Sequence, residues 1–231
     1  MQKRKKSLGS SLTIANEIEP LTDNQEKVFD DWDDGYQIIM TGYAGTGKSF
    51  LSLYLALSEI ENPKNSYQQI IIIRSDVATR RMGFLPGDVH EKAAVYEEPY
   101  ESMVNEIYGR ADAYDILKKK RIIDFKTTSY LRGITYNNSI IIVDEIQNMT
   151  DGELNTILTR FGNDTRFILC GDFRQTDLNM KQEKSGFYDI INILKNIKSV
   201  KMTDFGIDDI VRSGFVRDYI IEREKYYHDH G

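Results

Sequence analysis

The stretch "IIMTGYAGTGKSF", residues 38–50, runs from an apolar segment through three glycines into Lys48 and Ser49. Gly42, Gly47, Lys48 and Ser49 satisfy the spacing G-x-x-x-x-G-K-[ST] at every fixed position. Glycine tolerates backbone angles that a side chain forbids, so consecutive N–H groups in such a turn can point inward at anionic oxygens. The apolar run before the turn reads as a buried strand, and "FLSLYLALSEI" after it reads as a helix aiming its N-terminus at the same anion. Strand, turn and helix in this order predict a polyphosphate site, with Lys48 bridging the outer phosphates and the Ser49 hydroxyl on Mg2+.

Outward from this stretch the chain alternates strand and helix. Apolar runs predict strands at Tyr36–Met40, Gln69–Arg74, Ile122–Lys126, Ser139–Val143, Arg166–Cys170 and Ser199–Met202. They lack polar alternation, so both faces are expected to be buried, as in a parallel sheet covered by helices. Helices are expected at Asp23–Trp32 (with Thr22 as N-cap), Lys48–Glu59, parts of Glu91–Leu117, Gly152–Phe161, Gly186–Lys195 and Asp208–Lys225. The pattern is an α/β domain with a twisted, mostly parallel sheet, whose binding sites lie beyond the carboxyl ends of the strands. Residues 1–20 read as a loose basic leader and 21–231 as one domain, with a helical insertion at about 86–121.

"SIIIVDEIQN" places Asp144 and Glu145 just past a buried strand, where two carboxylates are costly unless they serve a cation or a reaction. Asp144 is the expected Mg2+ ligand, and Glu145 the group that orients and deprotonates an attacking water. "LCGDFRQTDL" brings Gln175 to the next strand end, where its amide can meet the terminal phosphate or the water; Asp172 is placed to relay the change. Taken alone, Gly-Asp there is an ordinary turn signal. Gln25 is either a reader of the adenine edge or a plain surface glutamine. Arg74, Arg132, Arg160 and Arg212 sit at strand ends or near helix starts, and any of them can supply planar positive charge to a transferring phosphoryl group. Arg212 lies far along the chain from the loop, which leaves open action on a neighbouring subunit's nucleotide.

The composition is that of an ordinary globular protein, with 40% apolar and 29% charged residues. The apolar runs are far too short to span a bilayer, and the basic start lacks the apolar core of a signal peptide. The single cysteine, Cys170, forms no internal disulfide and ends the apolar "FILC", so a buried thiol in a reducing cytoplasm is expected. A net charge of −6 argues against a simple basic nucleic-acid coat protein but leaves local patches open. Lys3–Lys6 and Lys118–Arg121 are two such clusters, each readable also as a solvated tail or helix end.

Seven segments in this order, "GYAGTGKS", "RRMGFLPGDVHEK", "YLRGITYNNSIIIVDEIQN", "ILTRFG", "GDFRQTDL", "SGFYDIINIL" and "DDIVRSGFV", resemble the PhoH-like family over roughly residues 20–225. The resemblance implies a P-loop NTPase of RecA-like, helicase-core type, similar to the first motor domain of superfamily-1 helicases. It implies ATP and Mg2+ as ligands, ATP hydrolysis, a ring-shaped homo-oligomer such as a hexamer, and a role in RNA or single-stranded nucleic acid. It assigns phosphate binding to Gly42, Tyr43, Ala44, Gly45, Thr46, Gly47, Lys48 and Ser49, metal and water handling to Asp144 and Glu145, and sensing of the terminal phosphate to Gln175, with Arg212 on the arginine of the family's C-terminal segment. With the residue readings above, the expected site is Gln25, this loop and Phe50 for nucleotide contact, Ser49 and Asp144 for metal, and Lys48, Glu145, Gln175 and Arg212 for catalysis. Departures from the family pattern are Tyr43 where proline is usual, "RSDV" for an Arg-Pro pair, Ile146 for a small residue, and Ser213 and Gly214 after Arg212. No PIN-type nuclease or KH-type module is expected ahead of this core.

The stretch holding Tyr96, Tyr100, Tyr108 and Tyr114 beside "KKKR" can either stack the bases of a single strand or pack on the domain or a neighbouring subunit. Its glutamates favour packing. Three activities remain: an Mg2+-dependent ATPase acting on RNA or single-stranded nucleic acid, a nucleotide-gated assembly module with little turnover, and a small-molecule kinase, the last disfavoured because no arginine-rich lid is visible.

Overall fold

The computed structural model describes residues 12–75, 89–131, 133–172 and 181–230. Six strands, β1 (Gln37–Gly42), β2 (Gln69–Arg74), β3 (Ile123–Thr127), β4 (Ser139–Asp144), β5 (Thr165–Cys170) and β6 (Val200–Phe205), form one sheet in the order β3-β2-β4-β5-β1-β6. Every pairing in it is parallel. The helices are α1 (Asp23–Asp33), α2 (Lys48–Glu61), α3 (Val89–Ile107), α4 (Ala113–Lys119), α5 (Asp151–Leu158), α6 (Lys181–Lys195) and α7 (Gly214–His230).

Successive side chains of a strand point to opposite faces, so an all-apolar strand feeds two cores. Ile38, Ile70, Ile72, Ile140, Ile142 and Ile168 pack under α1, α2, α3 and α4. Their neighbours Ile39, Ile71, Ile73, Ile141, Val143 and Leu169 pack on the other side under α5 and α6. This two-sided burial is what the missing polar alternation predicts for β1, β2, β4 and β5. The expectation is corrected for β3 and β6, which lie at the sheet edges and keep half-buried or exposed residues. The helix caps follow local chemistry. The Thr22 hydroxyl accepts from the Gln25 amide at 3.3 Å, and Thr150 with Glu153 closes a reciprocal capping box at the start of α5.

Three further expectations are corrected. Residues 12–20, read as part of a loose leader, are fastened: Leu12 is buried, the Ile14 amide donates to Glu61, and the amides of Ala15 and Asn16 donate to the Ile107 carbonyl. The apolar pair Leu12 and Ile14 closes the gap between α2 and α3. Strand β6 runs past the expected end at Met202 to Phe205, because its parallel ladder with β1 continues through Gly42 and Phe205, and Thr41 Oγ1 donates to Asp204 Oδ1 at 2.7 Å beside it. The last helix begins at Gly214 rather than Asp208. A short 3-10 turn at Ile207–Asp209 ends in an extended segment whose Val211 amide is drawn to the Gly45 carbonyl at 3.0 Å.

The insertion helices pack on the same core as the sheet. Tyr100, Tyr108 and Tyr114 are buried in it, which removes them as platforms for stacking bases. Lys118, from the basic run beside them, pairs with Glu97. Among the described residues, no helix is long and apolar enough to cross a membrane.

Cys170, at the end of β5, is buried, and its Sγ lies 3.9 Å from the Lys48 carbonyl. Burial, followed by the Asp144 charge, pushes its pKa well above the ordinary thiol value, and the thiolate is the reactive form. The native protein is therefore expected to resist iodoacetamide at about pH 8 and to alkylate fully once unfolded in guanidinium. Intact mass reads the outcome, and rapid modification of the folded protein rejects this packing.

Candidate active site

The loop after β1 is shaped by its carbonyl groups. Lys48 Nζ donates to the carbonyls of Gly42 and Tyr43, at 2.9 and 2.6 Å, and to Thr46 Oγ1. The Val211 amide holds the Gly45 carbonyl, and Gln25 Nε2 holds the Thr46 carbonyl at 3.1 Å. Thr46, fully buried, donates its hydroxyl to the Tyr43 carbonyl. Gln25 and Val211 thus hold two of the loop's carbonyls, and the Tyr43 amide donates to the Phe205 carbonyl at 3.1 Å. A glycine-rich turn of this kind can present its other N–H groups to an anion. Gly42, Gly45 and Gly47 all have positive φ, and Gly47 caps α2 from the left-handed region.

The acids arrive from β4. One strand, β5, separates it from β1. Neighbouring strands are about 4.8 Å apart, so the loop and the acids stand about 10 Å apart across the sheet, with room for a phosphoryl group and a cation. Gly45, Lys48, Ser49, Asp144, Glu145 and Arg212 line one cavity of about 380 Å³ at the carboxyl ends of the strands. Gly171 and Asp172, just beyond β5, form its floor.

Asp144 is buried, and neutral donors hold both its oxygens: Tyr100 Oη donates to Oδ2 at 2.7 Å and the Glu145 amide to Oδ1 at 2.9 Å. Glu145 has φ of 56°, a left-handed conformation costly for a residue with a Cβ, and such strain concentrates at functional sites. Its carboxylate accepts from Gln147 Nε2 and lies 4.0 Å from Arg74. Burial first, then the charge of Asp144, raises its pKa above the ordinary carboxylate value. Burial pulls the Lys48 ammonium below its ordinary value, opposed by Cys170, Asp172, Asp144 and Glu145. A hydroxyl and a carboxylate facing one cavity are the hard oxygen donors that Mg2+ takes alongside waters and phosphates, so Ser49 and Asp144 fit that ion.

A second cavity of about 650 Å³ adjoins the first, sharing Gly45, Gly47, Phe50, Met103 and Arg212 with it. Leu21, Phe50, Leu51, Met103 and Val211 give it apolar walls suited to a flat ring.

The predicted residues are distributed as follows. Gly42, Tyr43, Ala44, Gly45, Thr46, Gly47, Lys48 and Ser49 form the loop and helix start, with Asp144 and Glu145 opposite. Gln25 is not a surface residue: it is buried behind the loop, where its amide holds Thr46 and accepts from the Leu21 amide. Arg212 lies against this chain's own loop, its Cγ 3.0 Å from where a Cβ on Gly45 would stand. Arg160 belongs to the opposite, amino end of the strands, where its carbonyl accepts from Tyr136. Gln175 and Arg132 fall outside the described residues.

Two participants were not foreseen. Gln147 donates to Glu145 and accepts from the Asp172 amide at 3.0 Å, tying the ends of β4 and β5 together. Its signal was in plain view, a polar residue two positions after the acid pair. Tyr100 had no such signal, since 44 residues separate it from Asp144.

The family model described as "PhoH-like protein" matches residues 17–223. The PhoH-like protein of Bacillus subtilis is 35% identical over 185 residues, covering 80% of this chain and 57% of that protein. The PhoH-like protein of Mycobacterium leprae is 31% identical over 216 residues, 92% of this chain and 60% of the relative. Protein PhoH of Escherichia coli is 33% identical over 178 residues, 76% and 49%. The chain thus spans between 49% and 60% of the length of these curated relatives. Among solved structures, the large terminase from a thermophilic bacteriophage, in complex with ADP, superposes with a TM-score of 0.53 at 16% identity, over 88% of this chain and 50% of that one. That likeness is one of fold.

At Gly42, with φ of 116°, an added Cβ would stand 2.1 Å from the Phe205 carbonyl oxygen. Gly42→Ala is expected to cost roughly 2–5 kcal/mol of stability from backbone strain and overpacking, and to abolish binding of a nucleotide triphosphate. Denaturant unfolding and calorimetric titration with ATP check both, and a variant of wild-type stability contradicts the tight approach of β1 and β6.

Proposed function

The chain belongs to the PhoH-like family, and from that premise we propose that it is an Mg2+-dependent ATPase acting on RNA or single-stranded nucleic acid as a homo-oligomer in the cytoplasm. The observation that carries this reading is the convergence of the glycine loop, Ser49, Asp144 and Glu145 on one cavity.

In the proposed reaction the loop amides and Lys48 bind the β- and γ-phosphates, so Lys48 exchanges its loop carbonyls for phosphate oxygens. Mg2+, held by Ser49 and Asp144, supplies charge neutralisation at those phosphates when bound. Glu145 takes a proton from the attacking water as its oxygen bonds to the terminal phosphorus and the bond to the ADP oxygen breaks. Gln147 holds the Glu145 carboxylate in direction, and the raised pKa of that carboxylate suits it to accept a proton. In this reading Arg212, which lines the same cavity, stabilises the charge of the transferring group. On the same reading the base enters the adjoining cavity, whose lining includes Gln25 and Phe50.

Oligomer formation draws support from α7, where Phe215, Val216 and Tyr219 are exposed beside Arg212. The same face favours a second reading, a nucleotide-gated assembly module with little turnover. Two variants separate these readings. Lys48→Ala is expected to lose ATP binding. Glu145→Gln is expected to keep ATP binding and lose turnover by roughly 10²-fold or more. Phosphate release is measured with Mg-ATP alone, with single-stranded RNA and with single-stranded DNA, alongside native mass. Turnover absent under all three conditions leaves only the assembly reading.

A further inference from the structure

Helix α3 belongs to the insertion, yet it forms a wall of the phosphate cavity. Pro99 and Met103 line that cavity. Tyr100, between them, is 1% exposed, and its hydroxyl donates to Asp144 Oδ2 at 2.7 Å. One turn earlier, the Tyr96 ring lies beneath the Arg74 guanidinium, 5.4 Å from its centroid, and Arg74 in turn faces Glu145. Both carboxylates of the acid pair are therefore reached from α3, one directly and one through an arginine.

The Tyr100 contact is specific in geometry. The Asp144 carboxylate projects from the last residue of β4, where only its own torsion angles set the plane of its two oxygens. The Glu145 amide fixes one oxygen from the following turn, and Tyr100 fixes the other from a different element. Two donors on two oxygens leave the carboxylate a single orientation and direct its remaining lone pairs into the cavity shared with Ser49. The ring itself is anchored against Phe125 on β3, with centroids 5.6 Å apart, so the hydroxyl is delivered from a rigid support.

We infer that Tyr100 is a positioning residue of the metal site, which makes the insertion helix a structural part of Mg2+ binding. This rests on the reading of Asp144 as a metal ligand given above. Donors that hold a ligating carboxylate commonly change metal affinity or activity by roughly 10- to 100-fold when removed. The role differs from that of Tyr114, an equally buried tyrosine of the same insertion whose hydroxyl donates to Glu97 at 2.6 Å, away from the acids.

The test compares Tyr100→Phe and Tyr114→Phe with the wild-type chain, each keeping its ring and hence its packing, with folding followed by a thermal melt. Binding of the non-hydrolysable analogue AMP-PNP is measured by calorimetry, first in EDTA and then over a series of Mg2+ concentrations. For Tyr100→Phe the expected result is an affinity in EDTA within about twofold of wild type, because the loop and Lys48 are untouched, and a half-saturating Mg2+ concentration raised roughly tenfold or more. Tyr114→Phe is expected to leave the Mg2+ series in place. An unmoved Mg2+ midpoint in Tyr100→Phe, or an equal shift in Tyr114→Phe, overturns the inference while the nucleotide reading stands. Wild-type protein that binds AMP-PNP no better with Mg2+ than without it rejects the metal reading of Asp144 itself, and this inference with it.

Discussion

The site depends on how the backbone oxygens of one loop are held. An anion nest needs successive amides pointing one way, and a loop left to itself turns its carbonyls toward the same space as often. Here Gln25 from α1 and the Val211 amide from the segment after β6 take up the Thr46 and Gly45 carbonyls. Donors fixed before the ligand arrives do not need to be reorganised when charge develops, which is the usual source of electrostatic catalysis. The constraint also explains the surroundings. Helix α7 starts late, with the Val211 amide committed to the Gly45 carbonyl, and Gln25 is buried because it is part of the loop's frame.

The second requirement is spacing, and the strand order provides it. With β5 between β1 and β4, the loop and the acids face each other over one intervening strand end. That strand finishes in Cys170, followed by Gly171. A Cβ at Gly171 would press to within 2.6 Å of Ile146, so glycine lets the chain beyond β5 pack closely against the turn that follows the acids. Gln147 then joins the exits of β4 and β5, linking Glu145 to the Asp172 amide. Two carboxylates in so enclosed a place are expensive, and the raised pKa of Glu145 expresses that cost. The cost is offset through hydrogen bonds from Tyr100, Gln147 and the backbone, and through the nearby Arg74 and Lys48.

The family match extends through almost all of the described chain, while the matched relatives are considerably longer. What this chain shares with them is therefore a nucleotide-binding core, the part in which fold and site coincide. The insertion is integral to that core. Its tyrosines fill the hydrophobic layer between α2 and β3, so a segment that looks like an appendage is bound into the same cooperative unit as the sheet.

The sequence alone determined a great deal, because its signals were local. Six apolar runs marked six strands, of which β1, β2, β4 and β5 are buried on both faces while the edge strands β3 and β6 are only partly covered. The glycine spacing before an apolar helix marked the loop. An acid pair after a buried strand marked the other half of the site. Each rests on residues close together in the chain, where periodicity and steric limits operate. Tertiary structure decided the rest: the place of β5 between loop and acids, the burial of Gln25 and of the insertion's tyrosines, the approach of Arg212 to Gly45, and the late start of α7. Contacts such as Tyr100 with Asp144 or Val211 with Gly45 join residues far apart in sequence, and no local periodicity encodes which distant partner a hydroxyl or an amide will meet. That choice is made only when the parallel sheet brings the carboxyl ends of its strands together on one edge.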